Sequence, residues 1–208
     1  MKRAFTLSEL LIAISIIGII LILTIPPVFD NMVNKNRVAA LQRVYLSLTD
    51  SVKIMMQEER ASSVEKTYLY MSPGENVDGS AGEFIKKYYK LSMNCGTKKT
   101  PCLANSYKTL DGANSIDLPD DSDLYCVVLA TKAAMCIVPP QSKMYGRVIV
   151  DVNSAVAPNV AGRDLFLFYI YPDGHIGDRR DNDNDCSSNK YAVGCFKKLV
   201  KSNWVMDY

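Results

Sequence analysis

The chain has 208 residues, enough for one domain of ordinary size with a buried core and, in addition, an anchor. Lysine and arginine number 24 against 22 aspartates and glutamates, a net charge of +2. No strong field of either sign points to nucleic acid or to bulk electrostatic binding of an acidic partner.

The first residues, MKRA, are basic, and from Leu10 to Ile25 nearly every residue is apolar, with twelve leucines and isoleucines. Val28 and Phe29 extend the run past Pro26 and Pro27. As a helix, residues 10–28 would be roughly 28 Å long, close to the hydrocarbon thickness of a bilayer. At roughly −0.4 kcal/mol per leucine or isoleucine, insertion is favoured by about 5 kcal/mol. Glu9 opposes this by about 3 kcal/mol only if it is forced to the bilayer centre, and it lies at the end of the run. A secretory signal peptide would close on a small-residue A-x-A site, whereas this run leads into Thr24-Ile25-Pro26-Pro27. A plain signal anchor would account for the run but not for Glu9.

The string Phe5-Thr6-Leu7-Ser8-Glu9-Leu10-Leu11 resembles the prepilin cleavage and methylation motif of type IV pilins and type II secretion pseudopilins. In that family a short basic leader is cut before an aromatic residue, the new N-terminus is methylated, and a glutamate follows four positions on. The resemblance implies cleavage between Ala4 and Phe5, methylation of Phe5, and Glu9 as the functional carboxylate. Ala4 stands where the family usually has glycine, and Gly18 and Pro26 fall where members often carry helix-loosening residues. A lone carboxylate among apolar helices must find a partner or protonate. In a bundle of such helices the nearest cation is the α-amino group of a neighbour's Phe5, so Glu9 would set the axial stagger between subunits. The implied partners are other pilin subunits, identical or homologous, the prepilin peptidase, assembly-platform proteins and the lipid bilayer. Loss of the leader removes Lys2 and Arg3 and leaves 22 cations against 22 anions.

Beyond the prolines, Leu41, Val44, Tyr45, Leu48, Val52, Met55 and Met56 recur on one face of a helix. One long helix is therefore expected from about residue 6 to 60, loosened at Pro26-Pro27. The expected organisation is a leader (1–4), a transmembrane or filament-core segment (5–29), a head-packing half of the same helix (30–60), and an extracytoplasmic head (61–208).

Residues 61–123 are polar and rich in turn signals, with a short helix expected around 82–91. Strand-like runs follow at 124–130, 133–138, 145–152 and 165–171. A hairpin around Thr131 would set Cys126 opposite Cys136 at bonding distance. An even number of cysteines downstream of a membrane segment suggests an oxidising compartment. The short closures Cys95–Cys102, Cys126–Cys136 and Cys186–Cys195 are the expected pairs among fifteen possible connectivities. The last would close the tail into a loop like the C-terminal disulfide region of the family.

Asp178, Asp181, Asp183 and Asp185 crowd into that tail, and a cation would relieve their repulsion. They form a candidate calcium site, supported by the resemblance because some major pseudopilins hold calcium in such a loop; a solvated acidic loop is the competing reading. The EF-hand pattern fails, since Cys186 and Ala192 replace its glycine and glutamate. Lys86-Lys87-Tyr88-Tyr89-Lys90 reads as a solvated amphipathic helix in preference to a nucleic-acid contact. No P-loop, G-x-S-x-G, H-E-x-x-H or dinucleotide fingerprint is present, and the single histidine, His175, sits in a Pro-Asp-Gly turn.

The expectation is thus an α+β protein, a long N-terminal helix against an antiparallel β-sheet, as in pilin heads. It would be a non-enzymatic filament subunit, made at the cytoplasmic membrane as a single-pass precursor. A membrane-anchored extracytoplasmic binding or enzymatic domain is the alternative.

Overall fold

The computed structural model describes residues 6–142, 144–180 and 186–208, without the side chains of residues 23 and 25–28. The chain divides into two compact units, Met1–Asn36 and Arg37–Tyr208. Helix α1 covers Leu7–Glu58.

In the first unit the stretch of α1 from Leu10 to Ile22 carries no charge and is apolar on every side. Leu7 is 78% exposed and Ile22 74%, and Leu10, Leu11, Ile12, Ile14, Ile16, Ile17, Ile19, Ile20 and Leu21 are all exposed. Its few hydroxyls are satisfied within the helix: Ser15 Oγ donates to the Leu11 carbonyl and Thr24 Oγ1 to the Ile20 carbonyl, each at 2.8 Å. Among the described residues no helix is long and apolar enough to cross a membrane. The span counted in the sequence over 10–28 includes positions 23 and 25–28, whose side chains lie outside the description.

In the second unit the 3.6-residue stripe does what its spacing requires. Leu41, Leu48, Val52 and Met55 are fully buried and Val44 nearly so, with Tyr45 and Met56 packed alongside. Each such side chain contributes roughly 1.5–3 kcal/mol through burial.

Six antiparallel strands form a sheet in simple sequence order: β1 (Leu91–Gly96), β2 (Tyr125–Leu129), β3 (Ala134–Val138), β4 (Gly146–Asp151), β5 (Leu165–Ile170) and β6 (Ile176–Gly177). Val148 pairs with Phe168 and Val150 with Phe166, and the Tyr45 ring lies 5.8 Å from that of Phe168, so this face receives α1. Arg147, Ile149 and Asp151 therefore point to the other face. There, loop residues Leu103, Tyr107 and Ile116 are buried over the sheet. With both faces covered, β2 and β3 are buried at every position, which is why they read as continuous apolar runs instead of alternating ones.

The hairpin sets Cys126 opposite Cys136, with a Cα–Cα distance of 4.1 Å across their disulfide. Cys95–Cys102 and Cys186–Cys195 are the other two bridges. Gly162 has φ +86°, and a Cβ there would lie 2.7 Å from Cys186 Sγ, so only glycine lets this turn rest on the disulfide.

Four elements differ from the sequence expectation, one of them the two-residue edge strand β6, too short to leave a pattern. The short helix α2 covers Glu83–Tyr88, entered through a wider turn at Asp78–Gly82, and ends before β1. β1 is an additional strand; as a half-exposed edge interrupted by two register shifts, it lacks an apolar pattern. The tail, read as a loop, contains α3 (Cys195–Lys201). Gly194 gives that helix no side-chain cap, so its start carries no N-cap signature. Phe196 on α3 anchors an aromatic cluster, 5.0 Å from Tyr45, 4.7 Å from Phe168 and 5.6 Å from Trp204.

Candidate functional site

The start of α1 is built by a reciprocal pair of hydrogen bonds. Glu9 Oε2 accepts the backbone N–H of Thr6 at 2.9 Å and the Thr6 hydroxyl at 2.8 Å, while Thr6 Oγ1 accepts the Glu9 N–H at 3.3 Å. This is a capping box, in which residues three apart satisfy each other's orphan donors at a helix N-terminus. The role of Thr6 was missed in the sequence, although the Thr-x-x-Glu spacing over 6–9 is its signature. The carboxylate also sits at the positive end of the helix dipole. Below it, the exposed side chains of residues 10–22 form an apolar cylinder that water does not stabilise; a helix apolar all round belongs in a bilayer or among other apolar helices.

Of the other expected residues, Ala4 and Phe5 lie outside the described residues. Gly18 lies within α1, and a Cβ there would meet no atom within 4 Å. The backbone of Pro26 is helical, and its side chain lies outside the description.

Asp181, Asp183 and Asp185 also lie outside the described residues. Asp178 is described, and its carboxylate is already engaged. Oδ1 accepts the N–H groups of Arg179 (2.8 Å) and Gly194 (3.0 Å), and Oδ2 accepts that of Lys197 (2.9 Å). Asp178 thus caps α3 from a distant part of the chain. Among the described residues no three His, Cys, Asp or Glu side chains are grouped to hold a metal ion.

The described head does hold two buried carboxylates, Asp151 and Asp164, both fully inaccessible. Asp151 accepts hydrogen bonds from the Tyr107 hydroxyl (2.5 Å) and the Asn153 N–H (3.0 Å). Asp164 accepts the N–H groups of Asn159 (2.8 Å) and Val160 (2.6 Å). Burial pushes Asp151 up to about 7, and the nearby Asp164 charge adds to the rise; the two hydrogen bonds and Arg37 oppose it. Burial likewise raises Asp164. These groups tie the covering loops to the sheet and are shut off from any substrate.

His175 is an exposed turn residue. Lys86 and Lys87 are spent in ion pairs with Asp78 (2.6 Å) and Glu58 (2.7 Å).

The prokaryotic N-terminal methylation motif matches residues 1–25 of the chain. No curated protein and no solved structure matches the chain at a significant level. With its capped apolar helix and α+β head, the chain carries at residues 1–25 the prepilin signal of the type IV pilin and pseudopilin class.

Proposed function

We propose that the protein is a structural subunit of a type IV pilus-like or type II secretion filament. The prepilin peptidase cuts it between Ala4 and Phe5, Phe5 is methylated, and the subunit waits in the cytoplasmic membrane, its head outside the cytoplasm. The observation that carries this reading is the coincidence of the motif with the exposed apolar cylinder of residues 10–22. Leaving that surface in water would be costly, and neighbouring helices of the same kind cover it.

Assembly moves the helix from lipid into a bundle while Glu9 exchanges partners. In a single chain Glu9 Oε2 takes both Thr6 donors; in the filament the carboxylate pairs with the α-amino group of a neighbour's Phe5. The charge then supplies register more than strength. Gly18 gives neighbouring helices room for close approach, and Pro26 removes one helical hydrogen bond.

N-terminal mass analysis of protein recovered from membranes tests the reading. Loss of Met1 to Ala4 with a methylated Phe5 is expected. A mature form that keeps Met1, or that starts beyond residue 20, overturns it.

A further inference from the structure

On the face of the sheet turned away from α1, a cleft of about 240 Å³ opens between β4, β5 and two covering loops. Ile149 and Leu167, register partners across β4 and β5, form its apolar floor. Leu118 and Tyr191 wall it from the loops, and Arg147 and Arg179 both line it.

The arginines are the unusual part. Burying a guanidinium stem beside apolar side chains is ordinary, but the charge then normally finds an acceptor. The Arg147 Nε–H is buried and has no acceptor among the described residues. Neither Arg147, which is half-buried, nor Arg179, which is exposed, is among the described ion pairs. Asp117, the one described carboxylate lining the cleft, is exposed and is in an ion pair with neither. A buried donor left unmade is costly, so its persistence calls for a partner.

The position of both groups is imposed by the fold. Arg147 is held in mid-sheet by pairing with Val138 on β3 and Tyr169 on β5. Arg179 follows Asp178, whose carboxylate binds its backbone N–H together with those of Gly194 and Lys197. Both arginines line the cleft together with Tyr169, the register partner of Arg147 on β5.

We propose that this cleft binds a small monocarboxylate with an apolar body, its carboxylate on Arg147 and Arg179 and its body over Ile149 and Leu167. A guanidinium fork matches a carboxylate in geometry as well as charge, which an ammonium does not. The volume lies below the roughly 300–1,000 Å³ typical of drug-sized ligands, so the occupant is smaller than these. The site is independent of the filament reading.

The test uses the full chain in an uncharged detergent, titrated calorimetrically with phenylacetate and with its neutral amide. Phenylacetate is expected to bind saturably with a Kd on the order of 1 mM or tighter. The amide should bind at least about tenfold more weakly, as a lost charge-assisted hydrogen bond implies. Arg147→Met should weaken phenylacetate by a similar factor, and Arg147→Lys by less. Leu118→Trp, which fills the cleft but keeps both arginines, should abolish binding. The proposal is overturned if wild type shows no saturable binding, if amide and acid bind equally, or if inorganic phosphate binds as well as phenylacetate. Should Arg147→Met lose its cooperative melt, Leu118→Trp decides, and retained affinity there overturns the site.

Discussion

Residues 7–22 and 38–55 of α1 are both rich in leucine, isoleucine and valine, yet the first set is exposed on all sides and the second is buried along one stripe. The difference lies in what separates the apolar residues. In the second stretch Arg43, Asp50 and Lys53 fall between them and define a wet face, so the stripe has one direction in which to be buried. In the first stretch Glu9, near its start, is the one charge, and beyond it only serines and small residues intervene, so no face prefers water. One helix thus contains a segment whose partner is in the same chain and a segment whose partner must come from elsewhere.

The sharpest way to break this comparison is Glu9→Ala. The apolar half becomes more apolar, so insertion should be normal. Filaments should be lost unless wild-type subunits are supplied, as scored by shearing and electron microscopy. Normal filaments made purely of Glu9→Ala chains would remove the register role of that carboxylate.

Next in size is a matched pair of truncations. Leu48→Ala leaves a cavity under the sheet and should cost the head about 3 kcal/mol. Ile17 is 55% exposed and outside the buried core, so Ile17→Ala should shift the thermal melt of the purified monomer by less than about 0.5 kcal/mol. Equal effects in a Trp204 fluorescence melt would erase the distinction between the two halves.

Asp151 gives a pH signature that the exposed half lacks. Folded Asp151 holds its proton up to about pH 7, whereas the unfolded chain releases it in the ordinary carboxylate range. The folded state therefore binds more protons between about pH 4 and 7, and stability falls as pH rises through that window. A full shift would be worth about 4 kcal/mol; water penetration and relaxation around buried charges should reduce this to about 2 kcal/mol. Asp151→Asn, which keeps an acceptor for Tyr107, should flatten the pH dependence in denaturant titrations.

The smallest expected effect is at the tail. Asp178→Ala removes three backbone partners from one carboxylate and should cost about 1–2 kcal/mol. Faster amide exchange in Cys195–Lys201 should accompany the loss, with α1 unaffected.

Legibility in the sequence followed the range of the interactions. The prepilin string, the stripe on α1, the β2–β3 hairpin around Thr131 and the runs of β4 and β5 are local patterns, and all stand out from periodicity, spacing or turn residues. α3 was not legible because its cap comes from Asp178, 16 residues before Gly194. β1 was not legible because an edge strand with bulges needs few apolar residues. The candidate cleft was hidden for the same reason: Arg147 and Arg179 look like ordinary surface charges until the register of β4 and the Asp178 anchor bring them together. Thr6 was legible too, in the Thr-x-x-Glu spacing that it shares with Glu9.

The two ends of the sheet bear on how copies of this protein can meet. A long flat border strand is a template on which another chain can add its own backbone, the route by which many β-proteins form fibres. Here one border, β1, is broken by two register shifts and tied down through the Cys95–Cys102 bridge. The other, β6, is two residues long and runs directly into Asp178, which is committed to α3. Neither border offers a backbone ladder of useful length. Copies crowded together can touch through side chains without exchanging strands, and in the proposed filament the packing geometry would be left to the apolar helix.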